Sequence, residues 1–266
     1  MRRLNWTILL LLAAVPGLHA ADTPDALSQA RVLYNQGRFE AAVNAAERAR
    51  LAPKLVDSAD LIAARAYLER YRDTAAVEDL TNARERLRRL DPQGFSTRER
   101  IEFVVGLGEA LFFDKSYGAA AGVFESALDN NEPQRGDSRE RVLDWWASAV
   151  DRDAWPRPEI ERQIAYQRIR IQMRDELTVD AGSTTAAYWL AAAARAQGDL
   201  QAAWDAAEAG WVRSPLTRDR GAILRADLDR LMLRAIVPER ARVLAQPADT
   251  LALEWEKFKE RWKNDD

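Results

Sequence analysis

Cysteine is absent from this chain of 266 residues, and histidine occurs once, at His19. Without cysteine the protein forms no disulfide and carries no lipid-modified cysteine, so its core has to be large enough to be stable alone. If the N-terminal segment that contains His19 is cleaved off, the remaining chain has no histidine, and nucleophilic catalysis with a histidine base is excluded. Zinc sites built from histidine and cysteine are excluded on the same ground. We therefore expect neither a metal nor a cofactor.

Glycine and proline are also scarce, with 12 and 10 residues, and long stretches of the chain contain neither. The composition is instead dominated by alanine, leucine, arginine and glutamate, which are good helix formers. Apolar residues make up 47% of the chain and charged residues 30%, as in an ordinary globular protein. This composition predicts an all-α fold.

The first twenty residues have the layout of a secretory signal peptide. Arg2 and Arg3 precede an apolar run at 6–15, Pro16 breaks that run, and Ala20 is a small residue suited to cleavage. The run is shorter than the ~20 residues of a membrane span, although an uncleaved N-terminal anchor is the alternative. We expect an exported protein, periplasmic or extracellular, that is not a lipoprotein.

Removal of residues 1–20 leaves an acidic chain. Two of the 39 basic residues lie in that segment, so 37 Lys and Arg remain against 42 Asp and Glu, a net charge of −5. Nucleic acids are bound largely through neutralised phosphates, which makes this chain a poor candidate for them. The same charge disfavours anionic membranes, and we expect no transmembrane helix after cleavage.

The clearest internal pattern lies at 104–133. Small and apolar residues stand at helical spacing on either side of a turn at 114–116: Val104, Leu107, Gly108, Leu111, Tyr117, Ala120, Phe124 and Ala127. Small residues let two helices approach closely, and the larger ones fill the space between them. Pro133 follows the second predicted helix and is expected to end it.

Two further segments, 187–215 and 26–53, carry the same pattern. Their predicted turns lie at Gly198-Asp199 and Gly37-Arg38, and their final residues include Pro215 and Pro53. The equivalent alanines of the three segments, 42, 120 and 203, lie 78 and 83 residues apart, about two helical repeats each time. The pattern resembles the tetratricopeptide (TPR) repeat. Gln29 departs from it where leucine is usual, Ala207 where an aromatic is usual, and Pro133 stands one residue late.

This resemblance implies a right-handed superhelical array of antiparallel helix pairs, a TPR-like α-solenoid, over residues 21–215. Two less regular pairs are expected between the good matches, at 57–71 with 74–90 and at 137–152 with 157–178. The second of these is a true repeat or an insertion; the pattern leaves both open.

Residues 216–266 are expected to form C-terminal capping helices. A helix at 217–235 is interrupted by Pro238, and a final helix at 250–263 places Leu251, Trp255, Phe258 and Trp262 on one face. A terminal repeat needs such a cover for its apolar side. The alternative is that this face binds a partner or a second copy of the chain.

TPR arrays bind partner segments in a concave groove lined by the first helix of each pair. Carried over by register, the resemblance implies these groove residues: Arg31, Tyr34, Asn35, Arg65, Glu109, Phe112, Tyr188 and Arg195. Arginines and aromatics together suit an extended peptide with acidic and apolar residues. We therefore expect a non-catalytic scaffold or adaptor of the cell envelope.

Other functions stay open at this point. All eight tryptophans after Trp6 lie from Trp145 onward, so this half of the chain could hold a small ligand or a glycan. An enzyme would have to work with carboxylates alone, for example Asp57 with Asp60 or Asp151 with Asp153. Self-assembly through the final helix is a further alternative.

Overall fold

The computed structural model describes residues 25–129 and 137–263. The expected signal peptide at 1–20 and Pro133 lie outside these residues. Within them the chain is helical and contains no strand, which confirms the all-α prediction. None of these helices is both long enough and apolar enough to cross a membrane. The α-helices are α1 Ala26–Asn35, α2 Phe39–Ala49, α3 Val56–Thr74, α4 Val77–Arg89, α5 Thr97–Phe113, α6 Tyr117–Leu128, α7 Asp137–Ala154, α8 Glu159–Val179, α9 Thr184–Ala196, α10 Leu200–Arg213, α11 Ala222–Leu231, α12 Val237–Leu244 and α13 Ala248–Arg261.

The helices pack in adjacent pairs, as in a helical repeat array. Short turns join helices that lie side by side, so neighbours along the chain run antiparallel. The odd-numbered helices α1 to α11 also contact one another in succession, whereas the even-numbered helices mainly contact the odd ones on either side. We call the surface formed by the odd-numbered helices the odd-helix face. It brings together side chains that are far apart in the sequence.

The three repeats that were predicted from the sequence have the same type of turn between their two helices. In each, the middle turn residue has a positive φ: 72° at Gly37, 62° at Lys115 and 79° at Gly198. In each, the residue after it donates its amide to a carbonyl five residues earlier, for example Arg38 to Leu33 at 2.9 Å. Glycine adopts this left-handed backbone without strain, which explains two of the three turns. The same geometry at Lys115 shows that the repeat is structural as well as compositional.

Small residues lie where the repeats need close helix contact. The equivalent alanines at 42, 120 and 203 are fully buried. At Gly108 an added Cβ would lie 2.6 Å from the ring of Phe124, so this ring occupies the space that a side chain would need. The predicted packing of Gly108 against the following helix is therefore confirmed.

Helix ends also follow local signals in the sequence. Ser96 and Glu99 form a capping box at the start of α5, in which each side chain bonds the backbone of the other. Pro215 falls in a short 3₁₀ turn directly after α10, and Pro53 begins another four residues after the end of α2, as expected from prolines that follow a helix.

The pair α7–α8 belongs to the array, but its two helices diverge. α7 contacts α5 and α9 on the odd-helix face, in the positions of a regular repeat. α6 packs closely along α7, and α8 along α9, while α7 and α8 share a shorter contact. This divergence leaves a cleft between α6, α7 and α8.

The predicted boundary at Pro238 was wrong. The helix begins at Ala222, not at 217, and continues through Pro238 to Leu244. A π-helical turn, Met232–Ile236, immediately precedes the proline. Proline lacks an amide hydrogen and its ring conflicts with the carbonyl four residues earlier. A wider turn relieves that conflict, so the helix goes on.

The final helix covers the end of the array. Leu251, Trp255 and Phe258 of α13 are buried in one cluster with residues of α9, α10, α11 and α12. Trp262, which was predicted on the same face, lies at the helix end and is half exposed. The apolar face of α13 is therefore used within the chain, as expected of a capping helix, and not left open for the alternative of a partner or second copy.

Candidate functional site

The odd-helix face carries a cluster of charged residues built from four helices. Tyr34 comes from α1, Arg65 and Glu69 from α3, Glu109 from α5 and Arg141 from α7. The guanidinium of Arg65 lies 5.3 Å from the centre of the Tyr34 ring, and its Nη2 lies 3.6 Å from Glu109 Oε1. The Tyr34 hydroxyl donates to Glu69 Oε1 at 3.3 Å. Arg141 approaches the same carboxylate, with its Nη1 at 3.6 Å.

Burial shapes the electrostatics of this cluster. Only 1% of Glu109 is exposed, and neither of its carboxylate oxygens accepts a hydrogen bond. Burial raises the pKa of Glu109, and the charge of Arg65 opposes that rise. Burial also disfavours the charged form of Arg65, but its pKa is raised because the attraction of neighbouring acidic groups, Glu109 and Glu69 among them, prevails. Burial raises the pKa of Tyr34 as well, so its hydroxyl stays protonated.

Exposed arginines cover the cluster. Arg72, one turn after Glu69 on α3, forms an ion pair with that carboxylate, with 2.7 Å between Nη1 and Oε2, and is about half exposed. Arg141 is exposed to a similar extent. A ligand on this face would therefore meet guanidinium groups first, with the carboxylates beneath them. Guanidinium groups bind carboxylates in two parallel hydrogen bonds.

A row of aromatic side chains adjoins the charged cluster. Tyr71 of α3 packs against Phe113 of α5, with ring centres 4.9 Å apart, and Phe113 packs against Trp145 of α7 at 5.6 Å. All three rings are half-buried and lie edge to face. Such rings offer a large contact area at a small cost in conformational entropy, which is why aromatic residues are favoured in interfaces.

The row continues toward α9. Trp189 donates its indole N–H to Asp144 of α7 at 2.8 Å, and the Tyr188 and Trp189 rings are in contact with centres 5.9 Å apart. Further along α9, Arg195 donates to Glu239 at 3.1 Å. The odd-helix face thus presents aromatic and polar groups from α1 to α9.

The structure brings together only part of the predicted groove set. Tyr34, Arg65 and Glu109 meet in the charged cluster. Arg31 lies near one end of it and donates to Glu99 at 2.7 Å. The remaining predicted residues lie elsewhere on the odd-numbered helices: Asn35 is exposed, Phe112 is half-buried between Tyr117 and Trp145, and Tyr188 and Arg195 lie on α9.

Several residues of the face were not predicted. Glu69 and Arg72 lie four and seven residues after Arg65, so helical spacing alone would have placed them on its side of α3. Tyr71, Phe113 and Trp145 had no such signal, because aromatic residues at helical spacing are more often core residues.

The features behind the other functional hypotheses are distributed through the fold. Trp146, Trp204 and Trp255 are buried, Trp155 and Trp262 are exposed and far apart along the chain, and the remaining tryptophans of the described residues are half-buried. Of the paired carboxylates, Asp60 is buried between Arg50 and Arg86, and Asp57 is exposed. Asp151 accepts a hydrogen bond from the Tyr166 hydroxyl at 3.0 Å, and Asp153 pairs with Arg157.

No protein-family model matches the sequence, and no curated protein is significantly similar to it.

Proposed function

We propose that this protein is an exported, non-catalytic binding protein that holds a segment of a partner protein on its odd-helix face. The observation that carries the proposal is the row of half-buried rings, Tyr71, Phe113 and Trp145, beside the exposed Arg72 and Arg141. Side chains from several helices face one surface there. A segment lying across them would contact the helices one after another, as peptides do in helical repeat arrays.

The chemistry of this face favours a segment with acidic and apolar residues. Arg72 and Arg141 offer donors to carboxylates, and the neighbouring rings offer apolar contact. The buried carboxylates of Glu69 and Glu109 hold the arginines in place and keep the cluster close to electrically neutral. The expected signal peptide at 1–20 supports an encounter in the cell envelope, and the resemblance to TPR proteins supports an adaptor role.

A site-specific photo-crosslinker tests the proposal. The crosslinking amino acid replaces Arg141 in one variant and Arg88, which is exposed on α4 away from the odd-helix face, in a matched control. Both variants are expressed in the native host and irradiated, and the adducts are identified by mass spectrometry. We expect one dominant envelope protein at position 141 and background at position 88.

Two outcomes would contradict the proposal. Equal adducts from both positions would show non-specific collision, and no adduct at position 141 above background would show that no protein occupies this face. A glycan or small ligand would then be sought by titration with intrinsic tryptophan fluorescence, since Trp145 and Trp189 lie on the same surface.

A further inference from the structure

Helix α8 is apolar on two opposite sides. One side buries Tyr166, Ile169 and Met173 in the core. The other side exposes Ile160, Ile164 and Ile171, whose exposed fractions are 70%, 65% and 48%. Positions 160, 164 and 171 lie within one stripe of a helix because their spacings of four and seven residues return to the same side. We call this stripe the isoleucine stripe.

The isoleucine stripe borders the cleft left by the divergence of α7 and α8. Two adjoining spaces of about 540 and 510 Å³ meet at Ile164 and Arg168. Ala121 of α6 and Val150 of α7 line the first, and Trp146 lines the second, with the Arg168 guanidinium 5.5 Å from its ring centre. The stripe therefore belongs to a larger apolar surface than three side chains alone.

One flank of the isoleucine stripe carries opposite charges at two levels of α8. Glu161 lies in the first turn and Arg168 near the middle of the helix, both are exposed, and within the chain they pair with Arg157 and Glu125. Glu161 and Arg168 lie on the same flank of the stripe, since seven residues return nearly to the same side. An antiparallel copy of the helix would place Glu161 near Arg168 of that copy, twice by symmetry. A parallel copy would oppose like charges, which is destabilising.

We propose that a second copy of this chain docks on the isoleucine stripe, with the two α8 helices antiparallel about a two-fold axis. Such an interface is self-complementary: Ile160 of one chain lies near Ile171 of the other, and Ile164 lies near the axis. The final helix α13 cannot supply this contact because its apolar face is buried within the chain. Since α8 is an even-numbered helix, the odd-helix face stays open in the dimer.

Analytical ultracentrifugation of the purified protein over ~1–500 µM tests the proposal, because an interface of this size is expected to be weak. We expect a reversible monomer–dimer equilibrium. Ile164→Arg should lower the association constant at least tenfold, because it places two like charges at the axis. The matched control Ile223→Arg makes the same change at an isoleucine of α11 that is 62% exposed, and it should leave the equilibrium unchanged.

Charge exchange tests the orientation of the helices. Glu161→Arg alone should weaken the dimer, and Glu161→Arg combined with Arg168→Glu should restore it, because the pairs are reciprocal. Circular dichroism melts should show all variants folded, since the four substituted side chains are exposed. A wild-type protein that stays monomeric throughout, or an Ile223→Arg variant weakened as much as Ile164→Arg, would overturn the proposal. A double variant no better than Glu161→Arg would overturn the antiparallel arrangement.

Discussion

The two ends of the array are packed in different ways. The core of the first repeat and α3 consists mostly of alanine, with Leu33, Val43 and Ile62 as its larger buried members. The core of α9 to α13 contains Trp204, Trp255 and Phe258 together with leucine, methionine and isoleucine. Alanine lets helix backbones approach closely, whereas tryptophan fills wider spaces.

Buried charge is divided in the same way. Among the described residues, the buried charged side chains before α6 are Asp60, Arg65, Glu69, Asp79, Glu99 and Glu109, and the only one after it is Glu176. Buried charged groups need partners, and those of the first helices have them in ion pairs. We conclude that ion pairs specify the arrangement of the first helices, and aromatic packing that of the last.

The largest effect is expected from Trp255→Ala, which removes a tryptophan from the aromatic core of α9 to α13. Trp255 is fully buried between Trp204, Trp211 and Phe258. Its truncation should lower the free energy of unfolding by about 4 kcal/mol at any pH between 5 and 8, because a large cavity forms. Urea denaturation followed by circular dichroism measures this. Trp262→Ala, at a half-exposed tryptophan, should change stability by less than about 0.5 kcal/mol. Equal losses in both variants would contradict the described packing of α13.

Arg65→Leu removes a buried ion pair between the first helices. It should lower the free energy of unfolding by about 3 kcal/mol at pH 7.5, because Glu109 stays buried without its ion-pair partner. The loss should depend on pH. Burial raises the pKa of Glu109 above its unfolded value, and loss of Arg65 raises it further. Stability is then greatest below the unfolded pKa and falls as pH rises through the folded pKa. Urea denaturation at pH 7.5 and pH 5 should show a smaller loss at pH 5.

Glu109→Gln in the Arg65→Leu background is the control for this effect. It removes the charge that Arg65→Leu leaves unpaired, so the double variant should be more stable than Arg65→Leu at pH 7.5 and less sensitive to pH. A loss that is the same at both pH values would show that Arg65 contributes by packing and not by charge.

A smaller effect on stability is expected in the middle of the array, where the Phe124 ring of α6 packs on Gly108 of α5. Gly108→Ala should destabilise the protein by about 1–2 kcal/mol, because the new Cβ overlaps the ring. Gly122 lies in the same repeat, on α6, with nothing near its missing Cβ. Gly122→Ala should stabilise the protein by about 0.5–1 kcal/mol through helix propensity. Thermal melts of both variants should therefore shift in opposite directions.

Repeats and turns were predictable from the sequence because their signals are local. Gly37, Gly198 and Gly108 are glycines for reasons that act within one helix pair, namely a left-handed turn or a close approach. The turn at Lys115 was placed correctly by its position between two apolar patterns. The course of the chain through Pro238 was not predicted, because the wider turn before it has no simple sequence signature.

The charged cluster was predictable only in part. Their positions on the first helix of each pair predicted that Tyr34, Arg65 and Glu109 line the same groove, and these three side chains meet in the structure. The burial of Arg65 and Glu109 could not be inferred, because a charged residue taken alone is expected at the surface. Pairs such as Arg31 with Glu99 join residues 68 positions apart, and helical spacing contains no information about them.

The wide turn at Met232–Ile236 adjusts the phase of the last long helix. Buried residues stand every four positions at Leu224, Leu228, Met232 and Ile236, a spacing that would drift around a regular helix of 3.6 residues per turn. A turn closed over five residues absorbs part of this drift and keeps Val237 on the core side. The turn thus acts as a one-residue insertion that the fold has accommodated. The same long helix can therefore pack against α10 with its first part and against α13 with its last part.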